Sequence, residues 1–278
     1  MAVKQVPIIE SKDSSLKKIE ALQVEIDLLS QLSHVNIVKY KVTTKENEYL
    51  NIFLEYEAGG SISSLLQKYG PFSEDLVKIY ARQILDGLEY LHIHNVIHRD
   101  IKGANVLVHS NGICRLADFG GAKKICSEES QKYNTLTGSP FWMEPEVIRQ
   151  SGAGRQSDIW SFGCTVVEML TGNPPFHEVP NKMGLFYLIA STDAKPKIPD
   201  HVSDNLKDFL NHCLVREPEN RWNVFKLIRH PFLSNAELLY EPSSYPIEEV
   251  KGKFFDNGFK SNESQIESSK KDEKISPH

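Results

Sequence analysis

Two short polar strings limit what this chain can fold into: HRDIKGAN at residues 98–105 and DFG at 118–120. Between them, NVLVHS and ICRLA read as short β runs, and Asn111-Gly112 separates those runs as a two-residue hairpin signal. A hairpin returns the chain to the level of its own start. The two strings therefore finish on one edge of the same small sheet, which brings Asp100, Lys102, Asn105 and Asp118 to a common space.

The rest of the chain reads as a frame for that edge. Residues 1–9 read as a strand, and 16–32 as an amphipathic helix with Ile19, Leu22, Ile26 and Leu29 at steps of three and four. Stretches near 36–43 and 49–56 read as an antiparallel strand pair around the polar turn KENE. Gly59-Gly60 breaks the chain, and 73–93 follows as the clearest helix. Ser73 is its N-cap, and Val77, Tyr80, Ala81, Ile84, Leu88 and Leu91 form one apolar stripe. Residues 118–157 show little period and are rich in Gly, Ser, Thr and Lys, as functional loops are. From 158 to 233 the pattern is helical again, broken at Asn173-Pro174-Pro175. The expected class is α+β: a sheet-bearing part at 1–57, a helical part at 58–236, and a mostly disordered tail at 237–278, where apolar anchors are few.

Composition narrows the function classes. An apolar fraction of 40% over 278 residues supports a large core. A net charge of −5 argues against sequence-independent nucleic-acid binding, which needs a basic surface. Cys114, Cys126, Cys164 and Cys213 show no C-x-x-C spacing, so neither a zinc site nor a disulfide framework is indicated, and reduced thiols suit the cytosol or nucleus. No apolar run reaches bilayer-spanning length, and MAVKQVPIIE lacks the layout of a secretory signal. The expectation is a cytoplasmic protein (with the nucleus as the alternative) without membrane or nucleic-acid partners.

A third motif precedes the two strings. Lys4 lies in the strand-like AVK, and Glu25 follows on the predicted helix beside Ile26. Phosphoryl transfer needs the phosphates neutralised, the hydroxyl oriented and the attack in line. Asp100 is a carboxylate placed to accept a hydroxyl proton, and Lys102 puts a positive charge near the transferring phosphate. Asn105 and Asp118 supply the oxygen ligands that magnesium prefers. Lys4 would hold the α- and β-phosphates of ATP, and Glu25 would hold Lys4. A lone helix glutamate is usually a solvated one, and His98 and Phe119 are partly core aromatics. The three motifs in order outweigh those bland readings.

On these residues the chain resembles the eukaryotic protein kinase superfamily over about residues 1–235, and Lys102 two positions after Asp100 resembles the serine/threonine branch. The strings LSHVNIVKY, FLEYEAGGSISSLL, HRDIKGANVLV, GSPFWMEPEVI and SDIWSFGCTVVEML resemble MEKK-like MAP kinase kinase kinases. The resemblance implies a bilobal fold with a small N-lobe sheet and a helical C-lobe, ATP and Mg2+, and a protein substrate of the MAP kinase kinase class. It also implies activation by an upstream kinase or by autophosphorylation. By resemblance, Leu54 is the gatekeeper, Glu55 and Glu57 lie in the hinge whose backbone bonds adenine, and Ala2 and Leu107 pack on the base. Asp158 holds the HRD backbone, Leu29, Tyr40, His98 and Phe119 stack as the regulatory spine, and Glu146 pairs with Arg221. Ser139 stands beside the catalytic aspartate. Thr135, with Thr137 second, is the activation-loop phosphate acceptor facing Arg99 and Lys123.

Two departures stand out. The family's Gly-rich loop precedes the AVK lysine, but only three residues precede Lys4, and no G-x-G-x-x-G occurs anywhere in the chain. The first two strands and the phosphate lid are thus missing, which reads as a truncated start. It also supports a rival reading, a catalytically impaired, pseudokinase-like scaffold. The second departure is Glu144, where the family's A-P-E motif has alanine.

Overall fold

The computed structural model describes residues 1–7, 13–125, 138–152 and 154–236, with only the backbone course for 13–21. Cys126, Thr135, Thr137 and the expected tail from 237 lie outside the described residues. Strand β1 (Ala2–Pro7) alternates as a half-buried strand should, with Ala2, Lys4 and Val6 turned inward. Helix α1 (Asp13–Gln31) follows, then β2 (Tyr40–Glu46) and β3 (Tyr49–Leu54). The three strands form an antiparallel sheet in the order β1-β3-β2. Asn47 takes φ +53° in the β2–β3 turn, a conformation asparagine tolerates better than most residues.

The predicted strand at 36–43 begins late. Ile37 joins only a single parallel bridge to Leu116, and Val38 N–H donates to Leu116 C=O at 2.9 Å. Both side chains are buried in the larger core instead of continuing β2. Leu22 and Ile26 of α1 pack on Ile52 of the sheet, while Leu28, Leu29 and Leu32 belong to the larger core. One helix thus stitches the sheet to the helical part.

That part is built from α2 (Ile62–Tyr69), α3 (Glu74–Ile93), α4 (Pro145–Ile148), α5 (Arg155–Thr171), α6 (Lys182–Ser191), α7 (Asp204–Cys213) and α8 (Val224–Leu227). Ser73 caps α3 as predicted, its Oγ accepting Leu76 N–H, and the predicted stripe is buried throughout. α5 is buried nearly all round, with Ile159, Trp160, Phe162, Val166 and Met169 shut from solvent, as a central helix must be. Cys114, Cys164 and Cys213 are buried free thiols, and burial pushes each pKa up, which makes them inert. Among the described residues, no helix is long and apolar enough to cross a membrane.

Strands β4 (Val96–Ile97) and β7 (Lys123–Lys124) pair, and β5 (Val106–Val108) and β6 (Cys114–Leu116) form the predicted hairpin. Its turn differs from the two-residue form. His109 N–H donates to Ile113 C=O and Gly112 N–H to His109 C=O, while at the tip only Gly112 has positive φ, +83°. This is the three-residue loop with a glycine at the left-handed position. Asn111 selects it by accepting Ile113 N–H on its own side chain at 3.2 Å.

Behind the sheet edge, Arg221 donates to both oxygens of Glu146, at 2.7 and 3.0 Å, and to the Val215 and Gln156 carbonyls. Both partners are buried, so removing one leaves a bare charge inside the protein. Arg221→Ala is expected to cost about 3–5 kcal/mol in urea-unfolding experiments; a loss below about 1 kcal/mol, the value of a surface pair, would contradict this geometry.

Candidate active site

The hairpin does what its position in the sequence requires. Ala117 N–H donates to Asn105 C=O at 2.9 Å, so the residues before β5 and after β6 lie side by side. His98 strengthens the join. Its Nε2 meets the Ala117 carbonyl at 3.1 Å, and Asp100 N–H points at its Nδ1 at 3.4 Å. A carbonyl only accepts, so Nε2 carries the proton. Full burial holds the His98 pKa below its ordinary value and keeps the ring neutral in that tautomer. Its ring lies 4.9 Å from Phe119, centroid to centroid, and Phe119 and Leu29 are both core residues.

Two polar groups of side chains stand on this edge. In the first, Asp100 is the hub. Its Oδ2 accepts Lys102 Nζ at 2.7 Å and Asn105 Nδ2 at 2.8 Å, and its Oδ1 accepts Ser139 Oγ at 2.9 Å. Lys102 also reaches Ser139 Oγ at 2.6 Å. Partial burial alone would raise the Asp100 pKa, but the Lys102 hydrogen bond and charge, with Ser139 and Asn105, outweigh it and hold it below the usual value. Asp100 is thus an anion at neutral pH. In the second group, Lys4 Nζ lies 2.7 Å from Glu25 Oε1 and 3.2 Å from Asp118 Oδ1. Burial would lower the Lys4 pKa, but Glu25 and Asp118 together raise it, so this lysine is firmly charged. Glu25 is buried and Asp118 is half exposed, which leaves the aspartate open to a ligand.

The donor set suits a hard cation. Asn105 commits its Nδ2 to Asp100, which leaves its amide oxygen for other partners, and Asp118 adds a carboxylate. One other cluster invites comparison: Asp208, His212 and His230. There Phe232 N–H donates to His230 Nδ1 at 3.1 Å, so the ring proton lies on Nε2, 3.0 Å from Asp208 Oδ2. A ring so committed has no free lone pair for a metal, and His230 instead caps the 231–233 turn.

The remaining predicted residues lie around these groups. Asp158, fully buried on α5, accepts His98 N–H at 3.0 Å, Arg99 N–H at 2.8 Å and His92 Nε2–H at 2.8 Å. Burial would raise its pKa, but His92 and the backbone donors outweigh that and hold it below the ordinary value. Arg99 and Asp118 both have positive φ, +69° and +60°, uncommon for residues with a Cβ and typical of functional loops. The side chains of Glu55 and Glu57 turn toward Arg115, at 3.3 and 2.5 Å, so the hinge is braced by an arginine the sequence did not single out. Leu54, Tyr40 and Leu107 are partly buried against the core. Sequence reasoning also missed His92, Ser161, Trp142 and Glu168. A signal was present: Asp158, Ser161, Thr165 and Glu168 are polar residues at helical spacing in an otherwise apolar segment.

The comparisons agree with the geometry. The chain matches the protein kinase domain over residues 1–233. It belongs to the protein kinase family. This kinase is 47% identical over 238 residues to mitogen-activated protein kinase kinase kinase A of Dictyostelium discoideum, a match covering 85% of this chain and 25% of that protein. It is 47% identical over 237 residues to mitogen-activated protein kinase kinase kinase ANP1 of Arabidopsis thaliana, covering 84% and 36%. It is 43% identical over 242 residues to human mitogen-activated protein kinase kinase kinase 19, covering 85% and 18%. The chain thus spans between about a fifth and two fifths of the length of these relatives.

Glu144, the departure from A-P-E, is buried next to the Glu146–Arg221 pair and hydrogen-bonded to Ser157. Burial, with the charge of Glu146, raises its pKa from the ordinary 4.5 to about 7. Between those values the unfolded kinase has released this proton and the folded one keeps it, so stability falls as pH rises and levels off above about 7. Glu144→Gln should therefore stabilise the kinase by on the order of 1–3 kcal/mol at pH 8 and by much less at pH 5, read from urea unfolding at both pH values. An equal gain at both would show that Glu144 does not titrate this way.

Proposed function

We propose that this chain is the catalytic domain of a serine/threonine protein kinase that transfers the γ-phosphate of ATP to a protein hydroxyl, acting as a MAP kinase kinase kinase on a MAP kinase kinase. The observation that carries the reading is the Asp100 hub. An aliphatic hydroxyl, that of Ser139, already donates to its carboxylate at 2.9 Å beside a lysine ammonium at 2.7 Å. A substrate serine or threonine needs the same acceptor and the same neighbouring charge. Asp100 orients that hydroxyl and takes its proton, and Lys102 faces the charge that builds on the transferring phosphoryl group. Lys4, charged and held by Glu25, is the group for the other phosphates. Asp118 and Asn105 would hold Mg2+, which when bound neutralises phosphate charge. The relatives' names support the MAP kinase kinase kinase assignment. Since the lysine and both aspartates are present and correctly joined, nothing favours the impaired-scaffold alternative.

Asp100→Asn keeps the shape and loses the acceptor charge. It should lower phosphate transfer to a purified MAP kinase kinase by about 10²–10⁴-fold while ATP still raises the melting temperature in a magnesium-dependent way. Transfer at the unchanged rate would sink the assignment of Asp100. Activation is proposed to follow phosphorylation of Thr135, so Thr135→Ala should leave the enzyme at its basal rate after treatment that activates the parent kinase; full activation of the variant would move the switch elsewhere.

A further inference from the structure

We infer that Glu168 is a positioning residue: its buried carboxylate holds the Asp100–Asn105 loop and the segment after Ser139 at one fixed spacing, and so sets the register in which Asp100 meets the substrate hydroxyl. This rests on the phosphotransfer reading and adds a residue to it.

Glu168 lies in the last third of α5 and is 3% exposed. Its Oε2 accepts two neutral donors, Gly103 N–H at 2.9 Å and Trp142 Nε1–H at 3.0 Å. Gly103 directly follows Lys102, and Trp142 lies three residues after Ser139. Lys102 and Ser139 both bond the Asp100 carboxylate, beside Asn105, and they bond each other. The same two segments are therefore tied twice, once at the reacting face and once behind it. A single tie would let one segment pivot against the other, whereas two fix the angle.

The glycine supports this. Gly103 does not have positive φ, so backbone conformation does not require it. A Cβ there would stand 2.6 Å from Glu168 Oε1 and 2.9 Å from its carboxyl carbon, so glycine is needed for the close approach to the carboxylate. Trp142 is held a second time by α5, through Ser161 Oγ–H to its carbonyl at 2.9 Å. Burial, only partly offset by Gly103, Trp142 and the charge of Lys102, keeps the Glu168 pKa above its ordinary value, so this carboxyl ionises less readily in the fold than in the unfolded chain.

The test uses the full chain with myelin basic protein as acceptor and compares Glu168→Met, Trp142→Phe and the double variant. Glu168→Met keeps the bulk and removes both acceptors. It should raise KM for the acceptor protein and lower its kcat/KM by about 10–100-fold while leaving KM for ATP within about twofold. Trp142→Phe should give a smaller loss, and the double variant should lose less than the sum of the two. Glu168→Gln, which keeps an acceptor oxygen, should recover most of the activity. Additive losses would overturn the inference. So would a lower kcat with neither KM changed if circular dichroism at the assay temperature shows a matching loss of folded protein, because the fall is then only fewer active molecules. If the parent chain transfers no phosphate, the phosphotransfer reading fails on its own. Amide hydrogen exchange then still decides the positioning claim: exchange about tenfold faster in Glu168→Met at Asn105, whose amide bonds Lys102 C=O and not Glu168, supports it, and an unchanged rate there refutes it.

Discussion

Asp158 has no exposure, and its two oxygens serve three donors that come from other elements: the His98 and Arg99 amides and the His92 ring. An unpaired carboxylate at that depth would be very costly, so the loop that carries Asp100 has one acceptable course past α5. That course places Arg99 at φ +69°, a conformation a free loop would rarely hold. Everything on the reacting edge follows from this clamp. With His98 and Arg99 fixed, Asp100 faces Lys102 and Ser139, and the hairpin then delivers Asp118 to Lys4. α5 is therefore both a helix buried along nearly its whole length and the element that sets the polar geometry above it.

The two polar groups of the site are tuned in opposite directions by the same means. Partial burial would neutralise both Asp100 and Lys4, and in each case an opposite charge at 2.7 Å outweighs it. Asp100 is kept an anion and Lys4 a cation. Asp118 is the most exposed of the set. The buried charges away from this edge, Asp158, Glu146 and Arg221, are saturated by short contacts and serve the frame.

Much of this was legible in order along the chain. The α3 stripe with its Ser73 cap, the strand pairing and the hairpin are local patterns, and local patterns survive in sequence because periodicity is set by neighbours a few residues apart. The motif residues Lys4, Glu25, Asp100, Lys102, Asn105 and Asp118 were legible because their chemistry needs those side chains in that order. Other features were not. The 36–39 stretch has strand-like residues, but Ile37 and Val38 found deeper burial in the larger core than a longer β2 could offer. Asn111 diverted the hairpin to a three-residue loop through one side-chain hydrogen bond. Arg115, His92 and Glu168 act only through partners dozens of residues away, at Glu57, Asp158 and Gly103, and no short window holds both members of those pairs.

The sequence by itself determined which groups this kinase brings to the edge and in what order, since a carboxylate, an ammonium and an amide oxygen are properties of residue types. Only the tertiary structure decided their charge states and angles. Those depend on burial and on contacts such as Lys4–Glu25, Asp100–Ser139 and Asp158–Arg99, which form when distant segments pack together. The same holds for the acids of α5. In the sequence they are polar residues scattered along a buried helix, and only the packed structure shows that one holds the His98–Arg99 backbone and another bonds both Gly103 and Trp142.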